Sequence, residues 1–128
     1  SKKFLVAALL IFVIIINLPY IFGYLSSTDG LIFTGLIQNP MDGNSYLAKM
    51  FQGYEGNWRF YLPYSIERGQ GAYLFLFYLF LGHLCRIFSL PLILAFHTAR
   101  NATSILLFLS VANYIKKYFP IPAYHQKI

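Results

Sequence analysis

The sequence predicts an all-α integral membrane protein with about three transmembrane helices and an amphipathic juxtamembrane helix in the long loop after the first. Two observations lead to this fold class. Of the 128 residues, 58% are hydrophobic and 11% are charged, whereas soluble globular chains carry about 25% charged residues. The apolar residues also form runs long enough to cross about 30 Å of hydrocarbon. Lipid is therefore the expected solvent for most of the chain.

Charge and cysteine content exclude several other classes. The chain has ten Lys and Arg, four Asp and Glu, and a net charge of +6. Because the basic residues are scattered among apolar segments, we expect contact with anionic lipid headgroups or phosphate ligands and no nucleic acid partner. A single cysteine, Cys85, excludes an internal disulfide and a zinc cluster built on cysteine pairs. The histidines share no ligand spacing, so no metal site is predicted.

The first predicted span covers residues 1–24. Its apolar run begins at 4–16 and continues to Tyr24, and about 21 residues at 1.5 Å each are enough to cross the membrane. Lys2 and Lys3 precede the run as a cytoplasmic anchor, and Tyr24 suits the far interface. A cleaved signal peptide shares the basic start and the apolar run, but no small-residue cleavage site follows. A retained span is therefore the favoured interpretation.

Residues 71–115 are predicted to form a pair of transmembrane helices. The stretch is too long for one span of roughly 20 residues and long enough for two joined by a tight turn. Pro91 marks the turn, because it lacks a backbone donor and disfavours helix at the residue before it. The spans would then cover 72–88 and 92–115. A second placement of the turn, at 97–101, leaves the last helix short.

The orientation of these spans in the membrane is predicted from the positions of the basic residues at their ends. A polar tail, 116–128, follows the last predicted span and contains Lys116 and Lys117. With Lys2 and Lys3 in the cytoplasm, three spans place this tail outside, so a plain positive-inside count disfavours the layout. However, the basic residues beside the first helix usually determine the orientation of the whole protein. We therefore predict a cytoplasmic N-terminus.

The loop 25–70 is extracytoplasmic on this layout and holds all four acids of the chain. Apolar residues recur at helical spacing near 42–53, which predicts an amphipathic helix lying on the membrane. Asp42 opens this helix, and Lys49 lies on its polar face. Aromatic residues from Trp58 onward suit a segment at the interface. A loop this long between spans favours a functional role.

Four stretches of the sequence together resemble one superfamily. They are Asp42-Gly43-Asn44-Ser45-Tyr46-Leu47-Ala48-Lys49-Met50, Gly56-Asn57-Trp58, the run from Gly71 to Tyr78, and Phe96-His97-Thr98-Ala99-Arg100. Their order resembles the N-terminal part of the GT-C superfamily, the multi-spanning glycosyltransferases that use polyprenyl-phosphate-linked sugars, such as protein mannosyltransferase-like enzymes. The first stretch is similar to one found in uncharacterised bacterial multi-spanning membrane proteins. The resemblance implies a multi-pass protein of the bacterial inner membrane.

The resemblance also implies a reaction and roles for particular residues. A sugar would move from a polyprenyl-phosphate carrier to an acceptor hydroxyl or amine outside the cytoplasmic leaflet, so the partners would be the bilayer and a lipid-linked sugar. Asp42 would be the catalytic base, and a divalent cation is the one cofactor suggested. From the residues alone Asp42 is a helix N-cap, and both roles are compatible. Tyr46, Lys49, Trp58 and Arg100 would bind substrate, with Arg100 holding a lipid phosphate.

The resemblance covers only the first few spans of such an enzyme. We therefore expect the remaining spans in a longer chain or a partner subunit, and no activity from these 128 residues alone. The alternative is a small non-enzymatic membrane subunit or scaffold whose aromatic loop binds a partner. That function would depend on Trp58 and tolerate Asp42→Asn, whereas a catalytic loop would require Asp42.

Overall fold

A computed structural model of the chain describes residues 2–37, 39–67 and 69–119. These residues form helices joined by loops. They contain two isolated backbone bridges and no β-strand. The helices of this part are α1 (Lys2–Leu25), α2 (Pro40–Tyr54), α3 (Leu76–Phe88) and α4 (Leu92–Tyr118). The predicted all-α class is confirmed for the described residues.

The chain divides into two compact units. The first unit combines Ser1–Asn17 with Ala99–Ile128, and the second is Leu18–Thr98. The first unit therefore contains the N-terminal part of α1 and most of α4. The second contains α2 and α3 whole, together with the loops on either side of them.

α1 and α4 are each long and apolar enough to cross a membrane. They have 24 and 27 residues, which correspond to about 36 Å and about 40 Å at 1.5 Å per residue. Neither helix contains a buried residue. Their length and composition agree with the first and last of the predicted spans.

α3 is shorter than predicted, so two of the three predicted spans remain as candidates among the residues that the structure describes. It has 13 residues, or about 20 Å, which is less than the roughly 30 Å of a hydrocarbon core. The predicted span began at Ala72, but this residue forms an antiparallel bridge with Phe60. Phe75 has a left-handed φ of 56°, so a right-handed helix cannot continue through this residue. The helix therefore begins only at Leu76.

The turn between α3 and α4 lies at the position predicted from Pro91. Ser89 has a left-handed φ of 53°, and its N–H donates to the carbonyl oxygen of Cys85. This bond closes α3 and leaves Pro91, which has no N–H, immediately before α4. Residues 116–118 continue α4, although they were expected to begin the polar tail. The rest of that predicted tail, from 120 to 128, lies outside the described residues.

The core of the second unit is the contact between α2 and α3, and two glycines bring the helices close together. Met50 and Leu79 are fully buried. A Cβ on Gly53 would lie 2.7 Å from the carbonyl carbon of Leu79, and one on Gly82 would lie 2.6 Å from the nitrogen of Tyr54. Only glycine leaves room for backbones to approach this closely. α2, which was expected to lie on the membrane, is thus fixed to α3.

Cys85 is expected to resist alkylation in the folded protein. Its side chain is fully buried, and burial raises the pKa of the thiol, so the reactive thiolate is scarce at neutral pH. A maleimide should label the folded chain slowly and the unfolded chain completely, as measured by mass spectrometry. Glu55→Cys, which places a thiol at an exposed position, is the control and should label rapidly. Equal rates at both positions would contradict the burial of Cys85.

Candidate functional site

Asp42 is exposed in the first turn of α2. Pro40 takes the first helical position, and Asn39 precedes it with a left-handed φ of 46°. Asparagine tolerates this conformation, and a residue before proline avoids the right-handed helical region. Asp42 is therefore the third helical residue, so the prediction that it caps the helix is wrong. Its Oδ2 accepts a hydrogen bond from Nδ2 of Asn39, which orients the carboxylate.

Tyr46 and Lys49 meet two aromatic residues at the start of α3. Tyr46 stacks on Tyr78, with ring centroids 5.0 Å apart and planes inclined by 13°. The Nζ of Lys49 lies 4.2 Å from the ring centroid of Phe75 and 4.8 Å from that of Tyr46, within the range of cation–π attraction. We call these four residues the aromatic–lysine cluster. Asp42 precedes Tyr46 by four residues and Lys49 by seven, so the three share one face of α2.

The aromatic–lysine cluster combines a cation with flat apolar faces and hydroxyl groups. Burial raises the pKa of Tyr78, and the neighbouring Tyr46 raises it further, so the Tyr78 phenol stays neutral and able to donate at pH 7. An ammonium such as that of Lys49 binds phosphate oxygens through charge-assisted hydrogen bonds. Aromatic faces pack against the C–H groups of sugars and isoprenoids. The cluster can therefore hold a phosphate next to an apolar ring or chain.

Trp58 contacts a different residue of α3. Its ring stacks on His83, with centroids 4.0 Å apart and planes inclined by 20°. The Nε2 of His83 lies 3.2 Å from the carbonyl oxygen of Asn57. The structure therefore gives Trp58 a packing role in the segment after α2, and its predicted role in substrate binding stays a prediction.

The emission of Trp58 is expected to rise when His83 is replaced by leucine. Trp58 is the only tryptophan of the chain, and an imidazole stacked on an indole quenches its fluorescence. His97→Leu is the control, because the ring of His97 packs on Tyr20 at 4.8 Å. The two variants would be compared by steady-state fluorescence at equal concentration. Unchanged intensity in His83→Leu would contradict the stacking.

The side chain of Gln52, near the end of α2, forms hydrogen bonds to the loop between α2 and α3. Its amide donates to the carbonyl oxygen of Tyr61 and accepts from the Tyr61 nitrogen, both at 2.9 Å. Phe60 and Ala72 close the loop with a reciprocal pair of backbone hydrogen bonds, at 2.8 and 3.0 Å. No pattern in the sequence indicates this contact of Gln52.

Arg100 belongs to the first unit, where it binds polar groups of α1. Its Nη2 donates to Oδ1 of Asn17 at 2.7 Å, and its Nη1 donates to the carbonyl oxygen of Ile16 at 3.0 Å. Asn17 and Asn101 also exchange side-chain hydrogen bonds, at 2.7 and 3.2 Å. Such bonds hold apolar helices together. The guanidinium thus pairs α1 with α4, and its predicted phosphate contact stays a prediction.

The described residues do not form a metal site at Asp42. No group of three or more His, Cys, Asp or Glu side chains able to hold a metal ion occurs in 2–37, 39–67 and 69–119. The Asp42 carboxylate is instead bonded to the amide of Asn39. The divalent cation allowed by the sequence resemblance therefore has no ligand set in this part of the chain.

In the part of the chain that the structure describes, the fold is all-helical, two helices are candidate membrane spans, and an exposed acid lies on the helix pair α2–α3. No protein-family profile, curated protein sequence or solved structure matches the chain. Its function therefore has to be inferred from the chemistry of the described residues.

Proposed function

We propose that the chain is part of an integral membrane glycosyltransferase that moves a sugar from a polyprenyl-phosphate carrier to an acceptor on the extracytoplasmic side. The arrangement of one face of α2 carries this proposal. An exposed carboxylate, Asp42, stands in the first turn, and the aromatic–lysine cluster follows on the same face. Glycosyl transfer needs a base at the acceptor and a cation at the departing phosphate. One helix offers both groups.

Two features of the helices support membrane insertion. α1 and α4 have the length and apolar composition of spans, and none of their residues is buried within the described protein. Exposed surfaces this apolar are unfavourable in water, and the hydrocarbon of a membrane removes them from it. The segment between the two helices would then lie on one side of the bilayer, and it contains all four acids of the chain.

The proposed reaction is a direct displacement at the anomeric carbon. An acceptor oxygen or nitrogen forms the new bond as the bond between the sugar and the phosphate oxygen breaks, and the electron pair leaves with the phosphate. The acceptor proton passes to the Asp42 carboxylate. Asn39 holds that carboxylate in place, and Lys49 stabilises the negative charge on the departing phosphate. The rings of Tyr46 and Tyr78 pack against the carrier or the sugar.

Docking of a partner protein is a second candidate function, and one observation favours it. Tyr64 and Ile66, in the loop between α2 and α3, are 92% and 104% exposed. Trp58, on which the alternative interpretation relied, is 51% exposed and stacks on His83. The docking function predicts that Tyr64→Ser with Ile66→Ser abolishes capture of the partner, and that Asp42→Asn leaves capture unchanged.

Sugar transfer by the complete protein in lipid vesicles tests the proposed function. The vesicles would contain a membrane extract as the source of acceptor and a radiolabelled sugar linked to polyprenyl phosphate. We expect label to move from the carrier to an acceptor only when the protein is present. The same sugar linked to a nucleotide is the control donor and should not react. Absence of transfer from every polyprenyl-phosphate sugar would contradict the proposal.

A further inference from the structure

The two apolar helices of the first unit run antiparallel. Asn17 of α1 bonds to Asn101 of α4. Phe12, earlier in α1, packs against Phe108, later in α4, with ring centroids 5.2 Å apart. Moving towards the start of α1 therefore corresponds to moving towards the end of α4. The N-terminal end of α1 and the C-terminal end of α4 lie at the same end of this helix pair.

That shared end carries a concentration of positive charge. Along α1, Lys2 lies about 15 Å beyond Phe12, and along α4, Lys117 lies about 14 Å beyond Phe108, at 1.5 Å per residue. The two helix ends therefore extend a similar distance along the axis of the helix pair. We call the lysines there the basic end, and its members, Lys2, Lys3, Lys116 and Lys117, are all exposed.

No acidic residue of the first unit offsets this charge. All four acids of the chain belong by sequence to the second unit, Leu18–Thr98. Two tyrosines accompany the lysines: Tyr114 and Tyr118 pack with ring centroids 4.6 Å apart, and Nζ of Lys117 lies 5.5 Å from the Tyr118 ring centroid. Tyrosine and lysine at the end of an apolar helix are typical of the headgroup level of a bilayer.

We propose that the basic end binds anionic phospholipid headgroups. The inference rests on the membrane insertion within the proposed function, and it adds the surface and the lipid class. Four ammonium groups at the ends of two spans lie where an anionic leaflet attracts basic residues. With two spans, the conflict in the positive-inside count is reduced. Lys2, Lys3, Lys116 and Lys117 then lie on one side of the membrane, which the positive-inside rule makes cytoplasmic.

Quenching by brominated lipids measures which lipid the basic end prefers. Tyr118→Trp in a Trp58→Phe background places one indole beside Lys117 and keeps an aromatic ring there. The protein would be reconstituted in phosphatidylcholine containing either brominated phosphatidylglycerol or brominated phosphatidylcholine at equal mole fraction. We expect the anionic lipid to be preferred at least about fivefold at low salt, and the preference to fall towards one in high salt.

Two double variants separate the basic end from general positive charge. Lys116→Gln with Lys117→Gln should reduce the preference markedly, whereas Arg59→Gln with Arg86→Gln removes the same charge from exposed positions of the second unit and should leave it unchanged. Equal quenching by the two lipids in the parent protein would overturn the headgroup proposal alone. Quenching by neither lipid would show that α4 does not enter the bilayer, and would overturn the proposed membrane insertion as well.

Discussion

Replacing Asp42 with asparagine in the complete protein is expected to reduce sugar transfer by about 100-fold or more, which is the usual contribution of a general base. Asparagine has the same shape but cannot take up the acceptor proton. Its side-chain oxygen can still accept the hydrogen bond from Asn39, so the start of α2 should be preserved. The loss should therefore appear in the rate of transfer and not in the amount of protein in the membrane.

Asp29→Asn is the matched control for this experiment. Asp29 is an exposed acid of the second unit, in a turn closed by reciprocal backbone hydrogen bonds between Thr28 and Leu31. Its replacement removes the same charge at a position outside the proposed site, and transfer should continue at the parent rate. Full activity in Asp42→Asn would contradict the base assignment and leave Asp42 as a first-turn residue that favours the helix electrostatically.

Replacing Gly82 with alanine is expected to destabilise the α2–α3 contact by about 3 kcal/mol, at the upper end of the usual cost of overpacking a core. The added Cβ would clash with the carbonyl oxygen of Met50 and would lie 2.6 Å from the nitrogen of Tyr54. Both atoms belong to the backbone of α2 and cannot rotate away. Gly53→Ala should act similarly, because its Cβ would clash with the backbone of Leu79.

Gly30→Ala provides the control for the glycine substitutions. No atom lies within 4 Å of a Cβ placed there, and its φ is outside the left-handed range, so alanine should change stability by no more than about 0.5 kcal/mol. Thermal unfolding in detergent would give the stability of each variant. The labelling rate of Cys85, which is buried in α3, would report the opening of the same contact. A parent-like unfolding temperature in Gly82→Ala would contradict the close approach of the helices.

Local patterns in the sequence were sufficient to predict much of the helical structure. The apolar run after Lys3 and the proline at 91 predicted α1 and the turn before α4, because length and backbone chemistry act within a few residues. Helical spacing predicted an amphipathic helix near 42–53, and α2 covers Pro40–Tyr54. Asp42, which was expected to cap this helix, lies in its first turn, and Asn39 takes the cap position.

The remaining features depend on residues that are distant in the chain. The late start of α3 follows from the bridge between Phe60 and Ala72, which no local pattern reveals. The hydrogen bond from Arg100 to Asn17 joins residues 83 positions apart. Lys49 was selected as a substrate-binding residue, but its contact with Phe75 could not be predicted, because the long loop between α2 and α3 gives no pairing register.

The side of the membrane that Asp42 faces is the most direct test of an extracytoplasmic transfer site. Met41, the adjacent residue, is 83% exposed, and Met41→Cys in a Cys85→Ala background gives a reactive thiol beside the acid. We expect a membrane-impermeant maleimide to label this thiol in intact cells, and to label Tyr118→Cys in the same background only after the membrane is opened. Labelling of Met41→Cys only in opened cells would place Asp42 in the cytoplasm and contradict transfer on the extracytoplasmic side.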